Sequence, residues 1–244
     1  MEMILKEINK RLYNYETGND YSTLQITFNI KPPIYLTSPW IHFDGLLSYL
    51  CTRDALDDLF YCMPTETTID TSMIDLPLNK TKDVNHSSVG IFDKAFLYKD
   101  TIYKRFTDKE MRIFNPDKIK GRLHTNRGYF KDFMINLPLI LSNQVIFYCE
   151  GDKTELKRLL NNLTQIGKKI SIGGGMIQSF KIEETDQDYS FFKDGKVMRP
   201  IPSSMKVPVV PGAIFSRLPY KPPYWDKENV TMCLSPESQI KIGE

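Results

Sequence analysis

Residues 163–184 have the sequence LTQIGKKISIGGGMIQSFKIEE, and a change of pattern within this stretch predicts the fold. The first residues complete an apolar helical periodicity, and the last nine have the composition of a strand. Four glycines, two lysines and a serine lie between them. Glycine permits positive φ angles and close backbone approach, so this loop is suited to point N–H groups at a phosphate. A helix C-cap followed by a turn is the alternative interpretation.

The residues before the loop predict a strand followed by a helix. The segment NQVIFYCEG, residues 143–151, is a short apolar run typical of a buried strand. Asp152 and Glu155 have the spacing of a capping box at the start of a helix over residues 152–166, which Gly167 ends. The apolar face of that helix has five members: Leu156, Leu159, Leu160, Leu163 and Ile166.

The first half of the chain has the same order of elements. Four apolar residues alternate with polar ones in a strand that ends at Pro32 and Pro33: Leu24, Ile26, Phe28 and Ile30. Asp44 is the expected N-cap of a helix over residues 44–60, and SSVGIFDKAFLYK, residues 87–99, is the expected second strand. Two strand–helix–strand units in succession predict an α+β protein with the βαββαβ order of the ferredoxin-like, or RRM-like, fold.

The domain organisation predicted from these patterns is a single domain over residues 1–244. Its core covers about residues 21–98 and 143–184, and a basic insertion covers about residues 99–131. That insertion contains ten basic and four acidic residues. A proline-rich extension over about residues 195–244 is expected to contain little regular structure.

Composition excludes several functional classes. The formal net charge is only +2, so any nucleic-acid surface must be local. The four cysteines form no CxxC pair, which argues against a zinc site and against a disulfide scaffold. The N-terminus lacks an apolar signal region, and no long apolar run is present. We therefore expect a cytoplasmic protein without membrane contact, metal or cofactor.

The sequence presents no convincing catalytic set. The loop lacks the Walker pattern, and it follows a helix instead of a strand, unlike a dinucleotide-binding loop. The carboxylates are dispersed, which argues against two-metal chemistry. Of the three histidines, His42 is expected to be structural, and His86 lies in a polar loop without a recognisable partner. His124 is the best candidate base, because Arg122 and Arg127 are near it in sequence.

Aromatic residues are interleaved with the basic residues of the insertion. Aromatic side chains stack on bases and lysine or arginine follows phosphates, so this composition is typical of a single-stranded RNA groove. A solvated face whose aromatic residues turn into the core is the alternative. The aromatic residues concerned are Tyr98, Tyr103, Phe106, Phe114, Tyr129 and Phe130.

The two ferredoxin-like halves, with a glycine-rich loop between the last helix and the last strand, resemble the RAMP superfamily of CRISPR-associated RNA-binding proteins. Three further segments are similar to the subunit of type IV class 1 effector complexes that caps the 5′ handle of crRNA. They are PIYLTSPWIHFDGLLSYL at 33–50, GRLHTNRGYFKDFMINLPLIL at 121–141 and VMRPIP at 197–202.

The resemblance implies RNA-binding roles for two groups of residues. The family's loop contacts guide RNA, which here implies Gly167, Lys168, Lys169, Ser171, Gly173, Gly174 and Gly175. The family's insertion often grips the handle and a neighbouring backbone subunit, which implies Lys104, Arg105, Arg122, His124 and Arg127. The expected partners are the crRNA 5′ handle, other subunits of the complex and, through the complex, a target nucleic acid.

Two other functions are compatible with the sequence. One is a related crRNA-processing endoribonuclease with His124 as its general base, although almost 70 residues follow the glycine loop. The other is an interaction scaffold whose proline-rich tail binds proteins. Of the three, a non-catalytic RNA-binding subunit is the expectation that the sequence favours.

Overall fold

A computed structural model describes residues 2–36, 38–63, 69–107, 110, 113, 124–128 and 130–238. The helices in these ranges are α1 (Glu2–Tyr13), α2 (Phe43–Leu56) and α3 (Lys153–Leu160). The strands are β1 (Tyr21–Lys31), β2 (Ile34–Tyr35), β3 (Lys80–Thr81), β4 (Val84–Asn85), β5 (Ile91–Phe92), β6 (Phe96–Lys104), β7 (Phe133–Leu141), β8 (Gln144–Asp152), β9 (Met176–Glu184), β10 (Phe192–Lys193), β11 (Lys196–Val197), β12 (Ile201–Pro202), β13 (Phe215–Pro219) and β14 (Val230–Leu234). No helix within the described ranges is long and apolar enough to cross a membrane.

The protein is a mixed α/β structure with few helices, and its main sheet is antiparallel. Four strands pair in the order β5-β8-β1-β9. In the long central strand β1, Phe28 pairs with Val145 of β8 on one side and with Phe180 of β9 on the other. The register shifts between Asn29 and Ile30.

The main core covers one face of this sheet. Alternate side chains of β1 are buried on that face, while the residues between them remain partly exposed. Both α2 and α3 contribute to the same cluster, so the two helices cover the same face. Phe28 and Phe147 meet there edge to face at 5.9 Å. Burial of each such side chain contributes about 1.5–3 kcal/mol, which explains why the period-two pattern fixes the register.

A second sheet consists of a long hairpin attached to the body at one end. The strands β6 and β7 pair over nine residues, from Phe96–Leu141 to Lys104–Phe133. The short strand β2 adds to β7 only near the body, where Tyr35 pairs with Leu139. Nine residues extend roughly 30 Å, so the hairpin reaches well beyond its attachment.

The structure confirms three predicted strands and corrects several elements. The strands β1, β8 and β9 occur where the alternation and the apolar run predicted them. The predicted strand over 87–99 is wrong as a single element, because it divides into β5 and the beginning of β6. The predicted insertion therefore begins inside a strand.

The helix predicted over 44–60 is α2 to Leu56 followed by a 3-10 helix over Asp57–Cys62, and the second predicted helix ends earlier than expected. The helix α3 ends at Leu160, and a turn at Asn161 follows, although Leu163 and Ile166 continue the apolar spacing and are buried in the core. Asp152 caps its start, since its side chain accepts a hydrogen bond from the Glu155 N–H at 3.0 Å. The other half of the expected capping box is absent from the described contacts, because the Glu155 carboxylate binds Arg158 instead.

The C-terminal extension contains more regular structure than its prolines suggest. Its strands form a three-stranded antiparallel sheet in the order β12-β14-β13. Val197, Ile201 and Leu234 form a small separate core there. The proline residues Pro202 and Pro219 lie at the ends of short strands, where a missing N–H costs little.

Arg199 joins this extension to the body. Its guanidinium pairs with Asp44 of α2 at 3.2 Å, and each side chain is 1% exposed. The same guanidinium donates to the carbonyls of Ser87 at 3.0 Å and Tyr220 at 2.6 Å, and also to that of Asn85. The predicted N-cap role of Asp44 is wrong, since His42 holds the cap position. Asp44 is instead the buried partner of Arg199.

Arg199→Met is expected to destabilise the protein by about 3–5 kcal/mol, because it leaves the Asp44 carboxylate buried and without its cation. The measurement is the free energy of unfolding from urea denaturation. Lys181→Met is the matched control, since the Lys181–Glu183 pair is exposed and its loss is expected to leave the urea midpoint unchanged. A loss at Arg199 as small as that of the control would contradict the role of the buried pair.

Candidate RNA interface

The glycine-rich loop, residues 167–175, is held against the turn between β1 and β2. The Lys168 N–H donates to the Tyr35 carbonyl, and the Gly175 N–H donates to the Pro33 carbonyl, each at 2.8 Å. The Ile166 N–H closes the base of the loop on the Gly175 carbonyl at 2.8 Å. The loop is therefore fixed at both ends by backbone hydrogen bonds.

Two positions in the loop require glycine for steric reasons. Gly175 has φ +61°, and a Cβ there would lie 1.8 Å from the Ile166 carbonyl oxygen. Gly167 has φ +94°, and a Cβ there would lie 2.7 Å from the Tyr35 carbonyl oxygen. Gly173 also has a positive φ, but open space surrounds it. Close backbone packing, and not flexibility, accounts for the glycines at both ends.

The predicted phosphate cradle is wrong for three of its amides. The N–H groups of Gly173, Gly174 and Gly175 donate to the carbonyls of Ile170, Lys169 and Pro33. They are engaged within the protein and do not point at a ligand. An RNA-binding role for the loop stays a prediction, and it depends on side chains instead.

The exposed part of the loop carries a mixed set of side chains. Lys168 and Ser171 are exposed, and Lys169 is partly exposed in the left-handed conformation. Ile170 and Ile172 are more than half exposed. The loop thus presents two cations beside two apolar side chains, which suits a ligand that has both phosphates and apolar faces.

Tyr35 connects the loop to the hairpin. A Cβ on Gly174 would contact the Tyr35 ring, so the loop passes directly beside it. The Tyr35 hydroxyl donates to Asp100 of β6 at 2.8 Å, and that hydrogen bond raises the pKa of Tyr35. The ring also packs with Leu137 and Leu139 of β7. The loop and the near end of the hairpin therefore meet around one tyrosine.

The hairpin exposes an unusual number of large apolar side chains. On β6 these are Phe96, Leu97, Tyr98 and Tyr103, and on β7 they are Phe133, Met134 and Ile135. The pleat places Tyr98 on the same face as Tyr35, and Tyr103 on the opposite face with Met134. The alternative in which the aromatic residues of the insertion turn into the core is wrong for Tyr98 and Tyr103, which are both more than half exposed. Tyr129 and Phe114 lie outside the described residues.

The basic residues predicted from the insertion lie near the far end of the hairpin. Lys104 and Arg105 line a cavity of about 550 Å³ together with Tyr103, Asp132 and Phe133. The register places Lys104 six residues beyond Tyr98, roughly 20 Å from the contact with Tyr35. The loop and this basic end are therefore two separate parts of one elongated surface.

The turn at residues 124–128 belongs to the same end of the hairpin. The Asp132 N–H donates to the Thr125 carbonyl at 2.7 Å, and the Phe106 N–H donates to the Asp132 carboxylate at 2.9 Å. His124 and Arg127 are exposed in this turn. Arg122, the remaining predicted residue, lies outside the described residues.

A comparison with protein families agrees with the resemblance to a type IV CRISPR-associated protein. A family profile described as CRISPR type IV associated protein Csf3 matches residues 89–236, more than half of the chain. The chain belongs to the Csf3 family. The match covers the hairpin, the glycine-rich loop, Arg199 and the sheet of the extension.

The other two comparisons do not add to the family assignment. No curated protein matches the sequence. Among solved structures, the chain is similar to one in a "Cryo-EM structure of the Type III-B Cmr-beta bound to cognate target RNA", with 8% sequence identity and a TM-score of 0.35. The similarity covers 75% of this chain, which spans 66% of the length of the other.

In this Csf3-family chain, the histidine with the most partners is one that the sequence did not indicate. His86 Nδ1 lies 2.7 Å from Asp188 Oδ2 and 2.9 Å from Glu150 Oε2, and its Nε2 lies 2.6 Å from the Thr81 hydroxyl. The imidazole and the two carboxylates offer metal-ligating atoms that lie within 4.8 Å of one another. Glu150 and Asp188 are 64 and 102 residues away from His86 in sequence, so no local motif predicts them as its partners.

His124 differs from His86 in this respect. Within the described part of the chain, no hydrogen bond or ion pair orients the His124 imidazole. His42, the third histidine, stacks on Tyr224 at 3.8 Å, and burial lowers its pKa to about 4. Its structural role agrees with the prediction.

Gly175→Ala is expected to cost more than about 3 kcal/mol of stability, because the new Cβ collides with a backbone carbonyl that cannot move freely. Gly173→Ala is the matched control, with an expected cost of about 1–2 kcal/mol for the positive φ alone. Both costs are measured as free energies of unfolding in urea. Equal costs would show that the loop does not pack as closely on Ile166 as described.

Proposed function

We propose that this chain is a non-catalytic, RNA-binding subunit of a type IV CRISPR ribonucleoprotein that holds the 5′ handle of crRNA. The observation that carries the proposal is the junction at Tyr35, where the lysine-bearing loop meets a hairpin with exposed aromatic and basic side chains. Membership of the Csf3 family supports the assignment to a type IV CRISPR system.

The order of the central sheet supports a ferredoxin-like, RAMP-type core. The four strands β1, β5, β8 and β9 occupy places one to four of a βαββαβ unit, with α2 and α3 as its helices. In space they have the order 2-3-1-4, so the first and third strands are central. In this proposal the hairpin and the residues at its end form the insertion, and the residues after about 195 form the extension.

The proposed contacts divide the ligand between the loop and the hairpin. Lys168 and Lys169 neutralise phosphates near the body, while Lys104 and Arg105 do so at the far end. Between them, Tyr98 is exposed on the hairpin face that also carries Tyr35, where a base can stack. The separation of roughly 20 Å along the hairpin corresponds to several nucleotides, which suits a short single-stranded handle.

The opposite face of the hairpin is proposed to contact a neighbouring backbone subunit. Leu97, Tyr103 and Met134 are more than two-thirds exposed there. Large exposed apolar side chains grouped on one face of a ribbon are typical of a surface that contacts another protein. Any target nucleic acid is then reached through the assembled complex, and not by this chain alone.

The test of this function begins with RNA that copurifies with the tagged chain from its native cells, whose ends are sequenced. A uniform population of repeat-derived RNAs is expected, and its absence would contradict the proposal. The recovered RNA then serves as the probe for variants. Lys168→Ala combined with Lys169→Ala is expected to weaken binding and to lower the slope of log K against log salt by about 0.7–1.4, one to two phosphate contacts.

A control with the same loss of charge is Lys10→Ala combined with Lys196→Ala, since both lysines are exposed on α1 and on β11. The control is expected to retain the wild-type slope. An unchanged slope in the loop variant would remove the loop from the interface. Equal changes in both variants would show that only the overall charge matters.

The runner-up function, a crRNA-processing endoribonuclease, is tested at His124. His124→Ala is expected to leave crRNA maturation unchanged, because no described group orients the imidazole as a base. The measurement is the length of crRNA made in cells that carry only the variant, with Arg127→Ala as a companion variant in the same turn. Loss of cleavage with RNA binding intact would establish the nuclease instead.

A further inference from the structure

A polar cavity lies between α2, the hairpin of β3 and β4, and the C-terminal extension, on elements that the proposed RNA interface does not use. Its volume is about 320 Å³, at the lower end of the range for small-molecule sites. Its lining includes Ser48 of α2, Lys221 of the extension, and Lys80 and Lys82 of the hairpin.

The cavity has an unusual charge for its size. Three lysines line it against one aspartate, Asp83. Asp83 binds Lys221 at 2.8 Å and also accepts a hydrogen bond from the Tyr220 hydroxyl at 2.5 Å, so one lysine is neutralised. Lys80 reaches Asp75 only at 4.0 Å. The described residues give Lys82 no ion pair. The lining therefore keeps a local excess of positive charge.

Hydrogen-bonding groups in the lining also lack partners. Ser48 is 7% exposed, and in the described part of the chain its hydroxyl makes no hydrogen bond. The hydroxyls of Thr71 and Ser72 likewise make none among the described residues. Asn85 donates through Nδ2 to Asp44 at 3.0 Å, and its buried Oδ1 is an acceptor without a partner among the described residues, which suits an N–H or O–H donor of a ligand and not an anionic oxygen. Buried polar groups are ordinarily satisfied, so the unused hydroxyl of buried Ser48 beside the lysines indicates a site for an oxyanion, and the more exposed Thr71 and Ser72 hydroxyls add further donors.

The cavity is not polar throughout. Ile74 and Leu76, both almost fully buried, form part of the lining. Inorganic phosphate would fill only a fraction of the volume and would leave these apolar groups without a contact. A ligand that joins a phosphate to a flat, weakly polar ring system matches both parts of the lining.

We propose that this cavity binds a mononucleotide, with its phosphate at Lys80, Lys82 and the Ser48 hydroxyl and its base against Ile74 and Leu76. The ligand is either a free nucleotide or the terminal nucleotide of an RNA that carries a 5′-phosphate, since the two share this chemistry. The site does not depend on the loop and hairpin surface, so either proposal can fail without the other.

The test is calorimetric titration of the full chain with AMP and, separately, with inorganic phosphate. AMP is expected to bind saturably below about 5 mM and more tightly than phosphate. Lys82→Ala and Ser48→Ala are each expected to weaken AMP binding by about tenfold, the loss of one hydrogen bond to a charged group. Alanine at position 48 suits a helix, and each variant's urea midpoint verifies that it folds.

Matched controls separate this site from general attraction of anions. Lys196→Ala removes an exposed lysine from β11, and Lys10→Ala removes an exposed lysine from α1. Both are expected to bind AMP as the wild type does. Absence of saturable AMP binding, or AMP binding that is unchanged in both Lys82→Ala and Ser48→Ala, would overturn the proposal.

Competition distinguishes the two sources of the ligand. A short RNA with a 5′-phosphate that displaces AMP, when the same RNA with a 5′-hydroxyl does not, assigns the site to an RNA terminus. Displacement by neither RNA, with AMP binding intact, assigns it to a free nucleotide. Equal displacement by both RNAs would show that the bound group is not a terminal phosphate and would overturn the proposed contact at Lys82.

Discussion

The buried pair of Arg199 and Asp44 is the constraint on which the arrangement of this protein depends. The two buried charges stabilise each other, because burying either one without its partner costs several kcal/mol. Arg199 also satisfies three backbone carbonyls, and Tyr224 donates its hydroxyl to Asp44 at 2.6 Å. Burial raises the pKa of Tyr224, which keeps it a neutral donor, and lowers the pKa of His42, which keeps a second cation away from the guanidinium. One charged pair thereby joins α2, the segment from Asn85 of β4 to Ser87, and the extension.

The candidate RNA interface depends on the same body through a different residue. The backbone of Tyr35 holds the glycine-rich loop, its ring packs on the hairpin, and its hydroxyl binds Asp100. Tyr35 follows directly on Ile34, which is fully buried in the main core, so the position of the interface is set by that core. Binding groups on such a support need little ordering when a ligand arrives.

Local sequence patterns predicted the elements whose apolar residues repeat without interruption. Strand β9 begins and ends as predicted, and β1 includes every residue of the predicted alternation. The patterns failed where tertiary packing, and not local periodicity, sets the end of a helix or strand. Leu163 and Ile166 keep helical spacing after α3 ends at Leu160, because a side chain that packs into the main core is apolar there whether its backbone is helical or not. The loop was predicted from its glycines. Its contact with Tyr35 and the hydrogen bond from Gly175 to Pro33 could not be predicted, because they join residues far apart in sequence. The same holds for the partners of His86 and Arg199.

The hairpin of β6 and β7 has a mechanical consequence. It is a ribbon roughly 30 Å long that is clamped at one end by β2 and by the hydrogen bond between Tyr35 and Asp100. A rotation of only about 5° at that clamp moves the free end by roughly 2–3 Å, because displacement grows with distance from the pivot. Lys104 and Arg105 therefore have more positional tolerance than Lys168 and Lys169, which are fixed to the body. The near end of the surface is fixed by the body, and among the described residues the position of the far end depends on the angle at this clamp.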